Sequence, residues 1–439
     1  MPPFDMNRPP LPSDPDVVIV GAGAAGMAAA RALATRGVSA VIVEAADRVG
    51  GRAWTDHTAF GVPLDMGCSW VSGSGRNSLV KIARRRGLTL VDHTDAPDAL
   101  FVDGRPATRR ELSAYYDAFD AIHTAMNRAG KAGWSAPATG VLPRDLPFSG
   151  TVQSWIGGMD HGVDFKDLSP IDYWEQSDDQ PSYLVREGFG TIVETLGQGL
   201  PIALSTRVTA IDWGGQGVRV ETTRGTLAAK ACLLTVSTGV LASGDIRFTP
   251  ALPVDKQEAI HDVPMGLLVK VPLLFDGARF GIEEGAWLTY KVPDEVPSPA
   301  CFFVAWPCGH DYLFGNIGGD LGWELSRAGE AATVDFALGE LIKLLGSDIR
   351  KHFVKGLMTD WAQNPLTYGA YSVQRPGRIG GRLALRRPVG KRLYFAGEAV
   401  DTERAALANG AYDSGIRVAK TIGRALRHSS RSVRRLIPR

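Results

Sequence analysis

A lysine stands alone in the apolar run GLLVKVPLLF, residues 266–275. An ammonium in such company either reaches the solvent edge of a sheet or is buried for a purpose, because an unpaired buried charge is costly. Strand alternation puts Leu268, Lys270 and Leu274 on one face. Pro272 speaks for a sheet edge, where a lysine can snorkel to water. A buried Lys270 would need polar partners and a depressed pKa, which suits it to work on protons beside a reacting group.

The second chemical signal is Gly21-x-Gly23-x-x-Gly26, set between the apolar run Val17–Val20 and an Ala-rich stretch. In a strand–turn–helix, the first glycine makes the tight turn and the second lets backbone approach a diphosphate. The third lets helix and strand pack closely. The helix N-terminus then offers free N–H groups and a positive dipole to the phosphates. Glu44 ends the next apolar run, near the ~20-residue spacing of an acid that binds a ribose hydroxyl. Directly after it comes AADRVGGRAWT, where two glycines let a loop pass close to a cofactor and an arginine can neutralise a diphosphate.

Other chemistries are thinly represented. The eight histidines show no ligand spacing and no Ser–His–Asp set stands out, so no metal is expected. Cys68, Cys232, Cys301 and Cys308 lack CxxC spacing, which points to a reduced, cytoplasmic setting. A net charge of +1 predicts no attraction to nucleic acid or membrane. No uncharged run approaches the ~18 residues of a membrane span, and the Pro-rich N-terminus lacks the apolar core of a secretory signal.

Glu44, Arg48, Gly50, Gly51 and Arg52 resemble the extended fingerprint of the flavin-containing amine oxidase family, the monoamine and polyamine oxidase-like FAD enzymes. Later landmarks extend the resemblance over nearly the whole chain: PLDMGCSWVSG (63–73), the stretch 185–213, DWAQNPLTYGAYS (360–372) and YFAGEAVDTERAALANGAYDSG (394–415). The resemblance implies FAD contacts at Gly21, Gly23, Ala25, Gly26, Glu44, Ala45, Arg48, Gly51 and Arg52. It lays the backbone of Gly67, Cys68 and Ser69 against the flavin ring and that of Val208 against the adenine. Gly397 and Glu398 would meet the ribityl or phosphate region. Ala408 and Ala411, at the start of a last helix, would face the pyrimidine end, where a positive helix end favours the reduced flavin. Lys270 falls where the family carries a lysine bonded to a water beside flavin N5, and Tyr371 and Trp361 match aromatic residues near the flavin. The implied reaction is hydride removal from the α-carbon of an amine to flavin N5. Hydrolysis of the imine to an aldehyde or ketone follows, with O2 returning as hydrogen peroxide.

Departures from the family pattern narrow the expectation. Ala370 stands where mitochondrial monoamine oxidases tether their flavin to cysteine, so FAD should be non-covalent. Leu407 replaces the second tyrosine of the aromatic cage, and with Trp70 it is a candidate for the substrate pocket. Ser72 replaces an acid of plant polyamine oxidases. The acids Asp172, Glu175, Asp178 and Asp179 could attract a cation or form a solvated face. An L-amino-acid oxidase, with Arg279 or Arg375 over a carboxylate, stays open, as does a dehydrogenase or desaturase-like enzyme with another acceptor. A protein that binds FAD only as a scaffold would have no use for Lys270.

The elements that position these residues imply an α/β protein: a Rossmann-like FAD-binding domain of glutathione-reductase type interleaved with an α+β substrate domain. The FAD domain is expected over 15–83, 183–265 and 375–428, and the substrate domain over 84–182 and 266–374. Flexible tails are expected at 1–14 and 429–439, the latter Arg-rich. The site is expected between the domains, as cofactor pockets tend to be, with a homodimer left open. Substrate and electron acceptor are not legible.

Overall fold

The computed structural model describes residues 12–73, 77–176, 180–294 and 299–435, with side chains to Arg427. The chain divides into two compact units, each assembled from separated segments. Unit 1 takes residues up to Trp54, Gly190–Pro264 and everything from Gly380, and unit 2 takes Thr55–Phe189 and Met265–Ile379.

Unit 1 is built on five parallel strands in the order Ile202–Ala203, Ala40–Val43, Val17–Val20, Ala231–Leu234 and Leu393–Phe395. Val17 sits opposite both Ala40 and Ala231, and Cys232 sits opposite Leu393. Runs such as VVIV and ACLL, buried at every position, are what a parallel sheet covered on both faces requires. The crossover helix Ala24–Ala34 owes its place to alanines and Gly26, which let it press against the sheet and the last helix, Ala408–Arg435. A smaller four-stranded sheet (Gly225–Ala229, Val218–Thr222, Val208–Asp212, Arg247–Thr249) completes the unit.

Unit 2 centres on a seven-stranded sheet in the order Phe353–Gly356, Leu268–Phe275, Tyr312–Gly318, Phe302–Ala305, Trp287–Tyr290, Asp98–Val102 and Arg105–Pro106. Its pairs are antiparallel except Trp287–Tyr290 with Asp98–Val102. The helix Arg109–Lys131 starts on a capping box between Thr108 and Glu111 and buries Tyr115, Ala118, Ile122 and Met126 in a core with Phe148, Val152 and Phe165. Over Ser154–His161 the chain widens into a π-helix, in which His161 Nδ1 lies 2.7 Å from Ile156 O, five residues back. Among the described residues no helix is long and apolar enough to cross a membrane.

Four expectations change. Residues 55–73 belong to unit 2, so the expected boundary at 83 moves to Trp54. Thr55–Asp56 pairs with Leu64–Asp65, and Trp70–Ser72 pairs with Ser182–Val185, which holds the segment to unit 2 by sheet hydrogen bonds. The pairing of Ser182–Val185 likewise moves the expected boundary at 182 to Phe189, and the one at 374 moves to Ile379. The expected flexible tail from 429 is helical to Arg435, because the last helix continues unbroken from Ala408. Asp178 and Asp179, and the side chains of Arg431, Arg434, Arg435 and Arg439, lie outside what is described.

Candidate active site

In unit 1 the glycine loop is a cradle. A Cβ on Gly26 would lie 2.0 Å from Gly21 O, so helix and loop are in backbone contact and no larger residue fits. At Gly23 a Cβ would meet nothing within 4 Å, which leaves the second glycine open to an incoming group. The helix Ala24–Ala34 has no side-chain cap and no acid in its first turn, so its N–H groups and dipole face that opening uncontested. Glu44 accepts from the backbone N–H of Ala22 (2.6 Å) and Ala46 (2.8 Å), and burial raises its pKa against those bonds. Ala45 lies between these anchors. Ser205 N donates to Ala46 O and Thr206 N to Glu44 O, which draws the approach to Val208 alongside.

Arg48 lies over the Trp54 ring at 4.5 Å and donates to Gly51 O (2.9 Å), and burial lowers its pKa. Arg52 pairs with Glu398 at 2.9 Å, and the other Glu398 oxygen accepts from Ala406 N at 3.0 Å. Gly397 N donates to Ser414 Oγ, on the helix that begins at Ala408, and Ala411 N closes that helix's first turn on Leu407 O. An uncapped helix start, an open glycine, a ribose-type acid and a loop too tight for side chains fit the diphosphate half of a dinucleotide.

In unit 2 Lys270 is buried, with 5% of its surface exposed. Its Nζ donates to Gly67 O (2.6 Å) and Asp65 O (3.4 Å) and contacts Ser69 Oγ. Burial pulls its pKa from 10.5 to about 8, opposed by the charges of Asp65 and Cys68. The edge reading from Pro272 gives way here. Thr359 and Leu357 bond the Lys270 and Pro272 backbones on the side away from Tyr312–Gly318, so the proline's missing N–H falls in a covered position.

Trp361 Nε1 donates to Met66 O at 3.0 Å, so the segment 65–69 hangs from both Lys270 and Trp361. Asp65 accepts from Thr55 Oγ1 and Phe189 N, fixing the segment from the other side. Tyr371 donates its hydroxyl to Met159 O (2.7 Å) in the π-helical stretch, and burial with the nearby Asp160 pushes its pKa well up.

An aromatic wall surrounds the lysine. Trp70 stacks on Trp287 (5.3 Å), Trp287 meets Trp155 edge-on (4.8 Å), and Trp155 stacks on Phe302 (5.6 Å). Lys270 Nζ lies 4.9 Å from the Phe314 ring centre and 5.6 Å from that of Trp70, within reach of cation–π attraction. Asn316 stands directly opposite Lys270 on the next strand, and Phe302 directly opposite Asn316 on the one after, so the three share a face. Beside this row is a cavity of about 250 Å³, lined among others by Phe302, Asn316, Gly158 and Met159.

Among the sequence candidates, Leu407 is exposed in unit 1, just before the last helix. Asp172 is fully buried and accepts from Gln374 N, so it is neither a solvated acid nor a free cation site. Arg279 is engaged by the Asp311 carboxylate (2.5 Å) and the carbonyls of Gly309 and His310, and Arg375 is exposed. No group of three metal-ligating side chains occurs among the described residues. Trp155, Trp287, Phe302, Phe314 and Asn316 were not read as site residues. The available signal was Asn316 itself, the one strongly polar side chain in YLFGNIG.

The family model for flavin containing amine oxidoreductases matches residues 24–133 and 166–423. Polyamine oxidase 4 of Oryza sativa subsp. japonica is 30% identical over 93% of this chain and 88% of its own length. Human lysine-specific histone demethylase 2 is 26% identical over 94% of this chain and 54% of its own. Among solved structures, cyclohexylamine oxidase from Brevibacterium oxydans IH-35A superposes with a TM-score of 0.77 at 23% identity, covering 94% of this chain and 100% of that one. Putrescine oxidase bound to putrescine gives 0.76 at 21%, covering 94% and 99%.

Proposed function

Because the chain belongs to the flavin-containing amine oxidoreductase family, its reaction is the FAD-dependent oxidation of an amine, and we propose that Lys270 is the proton-handling group of its site. The observation that carries this reading is the buried Nζ held on Gly67 O and Ser69 Oγ, with a pKa brought down to about 8. At that value the ammonium can give and regain a proton near neutrality, as general acid–base work requires.

FAD supplies, when bound, the two-electron acceptor that takes a hydride from the carbon bearing nitrogen. The cradle of Gly21, Gly23, Gly26, Glu44 and Arg52 is the reading's diphosphate and ribose site, in a Rossmann-like, glutathione-reductase-type domain. Trp361 and Lys270 fix the Asp65–Ser69 backbone that would meet the flavin ring, and Tyr371 orients the amine from its anchor on Met159 O. The aromatic wall excludes water and favours the uncharged amine, the form able to lose hydride. Water then hydrolyses the imine to a carbonyl compound and a released amine or ammonia, Lys270 handling the proton. With Ala370 in the tethering position, FAD is held non-covalently. O2 as acceptor, giving hydrogen peroxide, and a cytoplasmic setting complete the proposal; a homodimer remains compatible with it.

The test is anaerobic mixing of the purified yellow protein with phenethylamine, putrescine, spermidine, cyclohexylamine and several L-amino acids, watching the flavin band. Bleaching by an amine, then recovery and peroxide on admitting O2, is expected. Bleaching without recovery in O2 would replace the oxidase by a dehydrogenase. No bleaching with any amine would overturn the reading.

A further inference from the structure

Resting on that reading, we infer that His93 is the positioning residue of Trp70, and that only its neutral imidazole keeps this ring in the wall beside Lys270. The two ring nitrogens of His93 meet partners of opposite kind. Nε2 lies 2.8 Å from Gly285 O, a carbonyl that can only accept, so Nε2 carries the proton. Nδ1 lies 3.3 Å from the indole nitrogen of Trp70, whose N–H can only donate, so Nδ1 is bare. One neutral tautomer satisfies both contacts, and the imidazolium satisfies only one.

The histidine is the fixed member of the pair. It is 8% exposed, its backbone N–H donates to Ser182 O (2.9 Å), and its ring meets Trp287 edge-on at 5.8 Å. Gly285 is tied in turn to Ala305 O through its own N–H (2.8 Å). Trp70 is half-buried and follows Ser69, whose Oγ touches the Lys270 ammonium. It stacks on Trp287 and meets Phe314 edge-on at 5.8 Å. The indole N–H is the one polar group of that side chain, so its acceptor sets how the ring is turned within the wall.

A proton added at Nδ1 would set N–H against N–H at 3.3 Å, while the bond to Gly285 survives. Trp70 then has to turn away, and the wall loosens beside Lys270. Burial lowers the His93 pKa from its ordinary 6.5, opposed by the bond to Gly285 and by the charge of Asp92. Other ionisable groups on the elements around it are Tyr183, paired with Asp92, Glu283 and Glu284 ahead of Gly285, and Asp98 opposite Trp287. The neutral ring is therefore the native form at pH 7.5, and the added proton enters only below pH 6.5.

The experiment follows the Trp70 indole N–H resonance of the FAD-loaded full chain from pH 5 to 7.5, assigned by its loss in Trp70→Phe. The split between kcat and KM for phenethylamine is measured alongside. Two variants separate the two contacts. His93→Asn brings an acceptor to the Nδ1 position without a titrating group, and His93→Gln reaches Gly285 O but leaves Trp70 without its acceptor. In the wild type the resonance should move in one titration below pH 6.5, and kcat/KM relative to His93→Asn should fall roughly tenfold across it, the worth of one hydrogen bond. His93→Asn should hold the resonance constant with pH and keep KM close to that of the wild type at pH 7.5. His93→Gln should shift the resonance at every pH and raise KM by roughly tenfold, with kcat changing less. A role confined to the Gly285 turn predicts the reverse, rescue by Gln and not by Asn, and that result would overturn the inference. A wild-type resonance indifferent to pH would overturn it too, and decides the matter even if neither variant folds. Should the wild type oxidise no amine, the functional reading fails, while the indole resonance still decides the place of His93.

Discussion

Replacing Lys270 by methionine should remove a pH dependence from the protein's stability. A fall in pKa from 10.5 to about 8 means that roughly 3 kcal/mol is held against the charged form in the folded state. Below pH 8 the ammonium is present folded and unfolded, and that cost is fully felt. Between pH 8 and 10.5 the folded state has released the proton while the unfolded chain still holds it, so stability must rise with pH. Lys256, also brought down to about 8 by burial, contributes the same rise to wild type and variant, so it cancels in their difference. Methionine fills the stem volume but leaves Gly67 O without its donor, a loss of about 1–3 kcal/mol that largely offsets the relief at pH 7. With an unfolding entropy near 2.1 cal/mol/K per residue, 3 kcal/mol corresponds to about 3 °C in this 439-residue chain. Melting curves at saturating FAD and pH 7.5 to 10 should therefore show the wild type gaining about 3 °C more than Lys270→Met. Parallel curves for the two proteins would refute the burial argument.

Three further outcomes follow from the unit 1 cradle and from residue 370. Arg52→Ala leaves the Glu398 carboxylate without its 2.9 Å partner in a nearly buried position, and should cost about 1–3 kcal/mol of stability and weaken FAD binding, read by flavin fluorescence titration. Gly26→Ala puts a methyl 2.0 Å from Gly21 O, and should yield protein that fails to retain FAD on gel filtration. Acid precipitation of the wild type should leave the flavin in the supernatant, since Ala370 offers no thiol; a yellow pellet would contradict this.

What could be read in advance was whatever depends on local backbone demands. Gly26 is forced by its contact with Gly21 O, five residues back, and Gly21 by its positive φ, so their spacing declares the loop. Lys270 was legible because a charge inside an apolar strand must be explained. The aromatic wall was legible only in Trp70, since Trp155 comes from the π-helical stretch and Trp287 and Phe302 from neighbouring strands of the seven-stranded sheet, and the rings meet only in the folded unit. Asn316 became meaningful only once its strand was placed against Lys270. Asp172 misled for the converse reason: its acidic neighbours suggested a surface, and its partner, the Gln374 N–H, is 202 residues away. The boundary at 54 was hidden because residues 55–73 carry flavin landmarks while their strands pair within unit 2.

The central strand of unit 1 has consequences for the order of assembly during synthesis. Val17–Val20 finds Ala40–Val43 at once, but its other neighbour arrives over 200 residues later, and Leu393–Phe395 later still. All of unit 2 has been made once Ile379 emerges, whereas unit 1 still lacks its edge strand, Glu398 and the helix that covers Ala24–Ala34. The topology therefore lets unit 2 close first and leaves the glycine cradle of unit 1 to be finished by residues from Gly380 onward. A nascent chain halted near residue 380 would carry a finished aromatic wall and a nucleotide loop with nothing packed on its helix. Flavin capture is thereby tied to synthesis of the segment that begins at Gly380.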